Sequence, residues 1–239
     1  MAQRVLVTGG SRGIGRAVVE RLAADGYRIL NFDLQPPEQS LSAESYIAVD
    51  VSDEAALRAA LAQALESGPI ALLVNNAGIV RPQPIETVSR QDLQAVADVN
   101  VVASVICAQA LIPGMRALGS GRIVNITSRA ALGKAQRIAY AASKAALHGF
   151  TKALALEVAG GGITVNAVGP GPIATELFEK VNPPGAASTQ RILETIPAQR
   201  MGLPSEVAHA VASFLDARAG FITGQVLYVC GGMTVGLAA

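Results

Sequence analysis

The sequence predicts an α/β fold: a single doubly wound domain with about seven parallel strands and helices on both faces. Three observations predict it. Short apolar runs alternate with longer segments of helical spacing, most of the runs are apolar at every position, and glycine-rich or polar turns follow several of them. Continuously apolar strands are those buried on both faces of a parallel sheet. Repeated strand–helix alternation implies right-handed crossovers.

In chain order, strands are expected at residues 5–8, 29–32, 47–49, 71–74, 123–126, 163–168 and 226–229. Between the first two, Ile14, Val18 and Leu22 are spaced by four and share one helical face. Residues 53–66 are rich in Ala and Leu. Ser89 is placed to cap a helix running to about residue 112, where Pro113-Gly114 is expected to end it. A further helix is expected over 140–158, stopped by Gly160-Gly161-Gly162, and Pro204 opens another that reaches about residue 215. Residues 170–202 are the most irregular stretch and read as a substrate loop within a single domain spanning 1–239.

The chain has 239 residues, a formal charge of +1 and 15% charged residues, and 51% of it is apolar. A disordered chain would be poorer in apolar residues, and a nucleic-acid binder would carry a basic excess. Two cysteines, Cys107 and Cys230, cannot form a disulfide scaffold and read as small buried thiols. Spanning a bilayer takes ~20 consecutive apolar residues. The best run, 99–112, contains Asn100, Ser104 and Gln109, so no membrane segment is expected. The amino terminus lacks the apolar region of a secretion signal, and the expected compartment is the cytoplasm. His148 and His209 have no ligand partners in view, so no metal is expected.

Thr8-Gly9-Gly10-Ser11-Arg12-Gly13-Ile14-Gly15 follows a strand and opens a helix. Glycines let the main chain approach a phosphate, and the helix N-terminus supplies donors and partial positive charge. The spacing Gly-x-x-x-Gly-x-Gly differs from the commoner Gly-x-Gly-x-x-Gly, but its position suits a Rossmann-type dinucleotide site. Asp33 ends the second strand, where a carboxylate can accept from adenosine ribose hydroxyls and repel a 2′-phosphate. Arg12 pulls the other way, because a guanidinium could hold that phosphate. Asp33 is weighed more heavily, so NAD is expected over NADP. Asp50 and Val51, after the third strand, are candidates for the adenine edge, with capping of the next helix the competing use of Asp50.

Tyr140-Ala141-Ala142-Ser143-Lys144 places a phenol and an ammonium one helical turn apart. A phenol of pKa ~10 is mostly protonated at neutral pH, and a nearby cation favours the phenolate. Tyr140 could then take the proton of an alcohol while hydride leaves, and return it in reverse. Polar clusters stand at three other strand ends: Asn75-Asn76-Ala77-Gly78, Thr127-Ser128, and Gly169 to Thr175. Ligands of open parallel sheets bind at the carboxyl ends of strands.

With Thr8-Gly9-x-x-x-Gly13-x-Gly15, Asn75-Asn76-Ala77-Gly78, Asn100, Ser128, Tyr140-x-x-x-Lys144, Pro170-Gly171 and Gly231-Gly232 in this order, the chain resembles the short-chain dehydrogenase/reductase family. The resemblance implies a catalytic set of Asn100, Ser128, Tyr140 and Lys144. Ser128 would bond the substrate oxygen, Tyr140 would act as acid/base, Lys144 would bind the nicotinamide ribose and tune Tyr140, and Asn100 would help hold a proton-relaying water. It further implies that Asn76, Ala77 and Gly78 line the cofactor, that Ile173 and Thr175 meet its carboxamide, and that the protein is a homotetramer. Ser128 lies 12 residues before Tyr140 where many members have 13, which leaves Thr127 as the competing hydroxyl.

The expected reaction interconverts a small-molecule secondary alcohol and a ketone. The alternative is an NADPH-dependent 3-oxoacyl-carrier-protein reductase. Near the pocket, Arg81, Arg129, Lys134, Gln136, Arg137, Leu177 and Phe178 are expected. The three cations between Ser128 and Tyr140 read first as solvated loop charges and second as contacts to an anionic substrate.

Overall fold

A computed structural model describes residues 2–235 apart from 177, 179–182 and 184, so the predicted pocket residue Leu177 lies outside the described residues. Seven strands, β1 (Arg4–Thr8), β2 (Arg28–Asp33), β3 (Glu44–Ala48), β4 (Leu72–Asn75), β5 (Gly121–Ile126), β6 (Ile163–Pro170) and β7 (Val226–Val229), form one sheet. Their order is β3-β2-β1-β4-β5-β6-β7, and every pairing is parallel. The order reverses between β1 and β4, which opens a crevice beyond their carboxyl ends.

Alternate residues of each strand feed opposite layers. Leu6, Phe32, Leu73 and Ile123 pack with α2 (Glu54–Glu66), α4 (Ala103–Leu118) and α5 (Ile138–Val158). Val5, Val7, Ile29 and Val74 pack with α1 (Gly13–Ala24) and α7 (Pro204–Leu215). Val18 and Leu22, on the predicted face of α1, are fully buried. Two shorter helices, α3 (Arg90–Ala97) and α6 (Ala187–Glu194), also occur among the described residues.

The third strand starts at Glu44 rather than near 47. It is an edge strand with one flank open, so polar Glu44 and Ser45 can pair with Ile29 and Leu30, and an apolar criterion starts it too late. A larger correction concerns the predicted helix ending at Pro113-Gly114. Helical structure continues from Arg90 to Leu118, with Pro113 inside α4. The stop is Gly119, in the left-handed conformation at φ 61°, whose N–H returns to Arg116 while Ser120 N–H returns to Met115. This run of 29 residues contains an 18-residue window of mean hydropathy 1.9 and is long and apolar enough to cross a membrane by length and composition alone. Here Val96, Ile106, Cys107, Leu111 and Met115 spend that hydropathy inside the fold.

Between α3 and α4 the helix widens into a π turn, Asp98–Val102, with Asn100 inside it. Such turns place one extra residue in a helix and leave a main-chain carbonyl poorly paired. Ser104 Oγ meets the Asn100 carbonyl at 3.3 Å.

The predicted substrate loop begins and ends close together. Gly202 N–H donates to Pro172 O at 3.0 Å, and Ala174 N–H donates to Gly202 O at 2.8 Å.

Candidate active site

The glycine turn leaves β1 at Thr8. Thr8 Oγ1 accepts the N–H groups of Asn76 (3.0 Å) and Ala77 (3.1 Å), while Asn76 Nδ2 donates to the carbonyls of Thr8 (3.1 Å) and Gly9 (2.8 Å). The polar end of β4 is thereby bolted to the start of the turn. Gly9 and Gly13 have φ of 68° and 55°, the left-handed region glycine adopts without strain. At Gly15 a Cβ would run into the Gly9 carbonyl, so only glycine lets α1 start this close to the turn.

Asp33 Oδ2 accepts Ser11 N–H at 3.0 Å and Oδ1 accepts Gln35 N–H at 3.3 Å, which puts the predicted carboxylate against the turn. Arg12 is exposed and precedes α1 without a side-chain cap bond. Ile14 packs against the α1-side core. Asp50 does not cap α2, contrary to its competing reading. It accepts Ser52 N–H (2.9 Å) and Oγ (2.7 Å), and the capping residue is Asp53, which accepts Ala56 N–H at 3.0 Å. The Val51 side chain is buried and belongs to the α2-side core, which also holds Phe32 and Leu57.

Across the crevice, α5 carries Tyr140 and Lys144 on one face. Lys144 Nζ is 5.7 Å from the Tyr140 ring centroid and donates to Ile126 O at 2.7 Å. Burial pulls the Lys144 ammonium down to about 8. For Tyr140 the outcome differs from the expectation that Lys144 acidifies it. Burial is the largest influence and raises the phenol, while a hydrogen bond with Ser128 and the charge of Arg137 work against it.

Thr127 and Ser128 are separated by geometry. Thr127 is 2% exposed and its Oγ1 donates to Val168 O at 3.2 Å, pointing into the sheet. Ser128 Oγ accepts Ala130 N–H at 3.1 Å and acts on Tyr140, pulling its phenol down against the effect of burial. The hydroxyl facing Tyr140 is therefore that of Ser128, 12 residues away.

Asn100 is 1% exposed. Its Oδ1 accepts Ile79 N–H at 2.8 Å, and its Nδ2 donates to Ile79 O (3.1 Å) and to Ser143 Oγ (2.9 Å), which in turn donates to Tyr140 O (2.8 Å). Both amide protons of Asn100 are thus used, while Oδ1 accepts one bond. A Cβ at Gly78 would lie 3.2 Å from Asn100 Oδ1 and 3.4 Å from Lys144 Nζ.

The β6 end supplies the remaining predicted residues. Pro170 is buried as the last residue of its strand, and Gly171 N–H donates to Val229 O at 2.9 Å. A Cβ on Gly13 would lie 3.5 Å from Thr175 Cγ2, so the glycine turn and the β6 loop approach each other. Ile173 is buried and bridges to Gly202. Among the loop cations, Arg81 is committed to Asp92 at 2.7 Å. Lys134 is lowered first by burial and then by Arg137 and Arg129, which shows the three charges near one another. Both cysteines are buried. No group of three or more metal-binding side chains occurs among the described residues.

Sequence reasoning gave no role to Ser143, Asn125, Thr151 or Asn31, and placed Asn75 only within a polar cluster. Ser143 links Asn100 to Tyr140. Asn75 donates to Asn125 at 2.8 Å, and Asn125 donates to Thr151 at 2.9 Å, tying β4, β5 and α5 together. Asn31 lies under the glycine turn. The signal was an amide inside an apolar strand, which burial tolerates only with partners.

An open cradle of main-chain groups at β1, a carboxylate at β2, the small Ala77-Gly78 at β4 and a Tyr–Lys pair at α5 suit a nicotinamide dinucleotide. Together with the parallel sheet they define a nicotinamide-dependent oxidoreductase. A family model described as enoyl-(acyl carrier protein) reductase matches residues 9–234, and the chain belongs to the short-chain dehydrogenase/reductase family, whose members of this kind act on hydroxyl or keto groups. A 3-oxoacyl-[acyl-carrier-protein] reductase from Synechocystis sp. is 38% identical over 250 residues, covering 98% of each chain. The ligand-free aldohexose dehydrogenase of Thermoplasma acidophilum superposes with a TM-score of 0.92 at 33% identity, covering 100% of this chain and 96% of that one. ElxO, solved with NADP bound, superposes with a TM-score of 0.91 at 30% identity, covering 98% and 99%.

Proposed function

We propose that the protein transfers a hydride between a nicotinamide cofactor, NAD in preference to NADP, and a secondary alcohol or ketone. The observation that carries this reading is the meeting of Tyr140, Ser128 and Lys144 at the carboxyl end of β5. The nicotinamide, when bound, accepts or supplies the hydride. Tyr140 takes the hydroxyl proton of an alcohol or returns one to a carbonyl oxygen. Ser128 Oγ already accepts from Ala130, which leaves its own proton to donate to the substrate oxygen. Lys144 is held by Ile126 and, through its ammonium, binds the ribose. Asn100 and Ser143 hold the start of α5 against the 79–80 loop.

Asp33 supports NAD, because its carboxylate already stands at the turn where a 2′-phosphate would bring further negative charge. A second reading, an NADPH-dependent 3-oxoacyl thioester reductase, is favoured by likeness to the Synechocystis reductase, by the NADP in ElxO and by Arg12 standing exposed beside the same turn. Paired titrations with NADH and NADPH, followed by a panel of ketones, alcohols and 3-oxoacyl thioesters, decide between them. Tighter NADPH binding and turnover confined to thioesters would establish the second reading. No hydride transfer with either cofactor would defeat both.

A further inference from the structure

Beneath the glycine turn runs a polar chain that the reaction above does not use. Asn31, in the middle of β2 and 0% exposed, accepts Gly10 N–H at Oδ1 (3.0 Å). Its Nδ2 donates to Ser11 Oγ (3.1 Å) and to Glu44 Oε1 (2.8 Å). The Glu44 side chain is fully enclosed. It also receives Arg16 Nη1 at 2.8 and 3.1 Å and Leu41 N–H at 3.2 Å.

An amide has one acceptor end and one donor end, whereas a carboxylate only accepts. Glu44 therefore dictates which end of Asn31 faces it, since the opposite orientation would set oxygen against oxygen in a buried place. With Nδ2 turned to Glu44, its second proton goes to Ser11 Oγ, and Oδ1 is left for Gly10 N–H. Ser11 Oγ must then accept from Asn31, so its own proton points elsewhere. The Ser11 N–H is already given to Asp33.

We propose that Asn31, oriented by Glu44, is a positioning residue for cofactor binding that makes the Ser11 hydroxyl a one-way donor to an oxygen of the bound dinucleotide. The proposal rests on the dinucleotide reading given above. Arg16, on the first turns of α1, completes the chain by holding Glu44 as a carboxylate partner, so edge strand β3 reaches the cofactor cradle through two side chains.

The test measures dissociation constants for NAD(H) and NADP(H) by fluorescence, together with kcat and KM. Loss of one oriented hydrogen bond corresponds to about tenfold in affinity. Asn31→Ala should weaken the preferred cofactor by about this factor, with kcat at saturating cofactor within about twofold. In a Ser11→Ala background the same substitution should cost less than about threefold, because the hydroxyl it acts through is gone. Glu44→Leu should mimic Asn31→Ala, and it keeps the idea testable where Asn31→Ala fails to fold. Unchanged affinity in Asn31→Ala or Glu44→Leu, or an equal loss with and without the Ser11 hydroxyl, overturns the proposal alone. Failure of the unaltered protein to bind either cofactor overturns it together with the dinucleotide reading.

Discussion

Lys144 donates from a buried ammonium to the carbonyl of Ile126, the last residue of β5, at 2.7 Å. This bond joins the helix carrying Tyr140 to the strand end that leads into Ser128. It places the charge where burial lowers its pKa from the ordinary 10.5 to about 8.

A stability consequence follows from the sign of that shift. Between pH 8 and 10.5 the unfolded chain holds a proton at Lys144 that the folded chain has released, so stability rises with pH across this window. Below pH 8 the buried charge costs its full amount, ~3 kcal/mol. Lys144→Met should stabilise the cofactor-free protein by ~2 kcal/mol at pH 7, after about 1 kcal/mol is lost with the Ile126 bond. The gain should shrink by pH 9.5 while activity is lost at both pH values. Urea denaturation at the two pH values checks this, and equal stability of both proteins at pH 7 would refute it.

Tyr140→Phe removes the acid/base but keeps the ring that packs beneath Lys144. We expect kcat to fall by roughly 10²–10⁴, with cofactor affinity changed less than about threefold. Stopped-flow single turnovers and a binding titration supply both numbers. Full turnover in this variant would end the proposed mechanism.

Ser128 and Thr127 should separate cleanly. Ser128→Ala should lower kcat/KM by about 10² through loss of one donor to the reacting oxygen. Thr127→Val should change kcat/KM less than about threefold yet cost about 1 kcal/mol of stability, because its hydroxyl serves Val168. The reverse pattern would make Thr127 the working hydroxyl.

Asp33→Asn should relax discrimination between NADH and NADPH by removing charge at the turn while keeping an acceptor for Ser11 N–H. The NADPH-to-NADH ratio of kcat/KM should rise about tenfold. A ratio that does not move shows that cofactor choice is made elsewhere.

The sheet was legible because its strands are short apolar runs buried on both faces, and Val5 to Thr8 or Ile123 to Ile126 admit few other readings. The Tyr140–Lys144 pair was legible because helical spacing alone puts the two on one face. What stayed hidden depends on partners distant in sequence. Pro113 looks like a helix terminator until packing holds α4 together past it. Nothing in the spacing of Asp98 to Val102 announces a π turn. Asp50 and Asp53 are equally good caps on paper, and only the path of the chain decides for Asp53. Likewise Glu44 and Asn31 are 13 residues apart and meet because β2 and β3 pair in one register.

The widened turn at Asn100 ties the site to the molecule's interior. One extra residue advances a helix by about 100°. If that turn tightened into ordinary α-helix, everything after it would rotate, and Ile106, Leu111 and Met115 would swing away from the sheet. Asn100 therefore cannot relax into another orientation at small local cost. Loosening this part of the crevice means prising apart one whole side of the protein, so alignment of the reacting groups is defended by the same cohesion that keeps the chain folded.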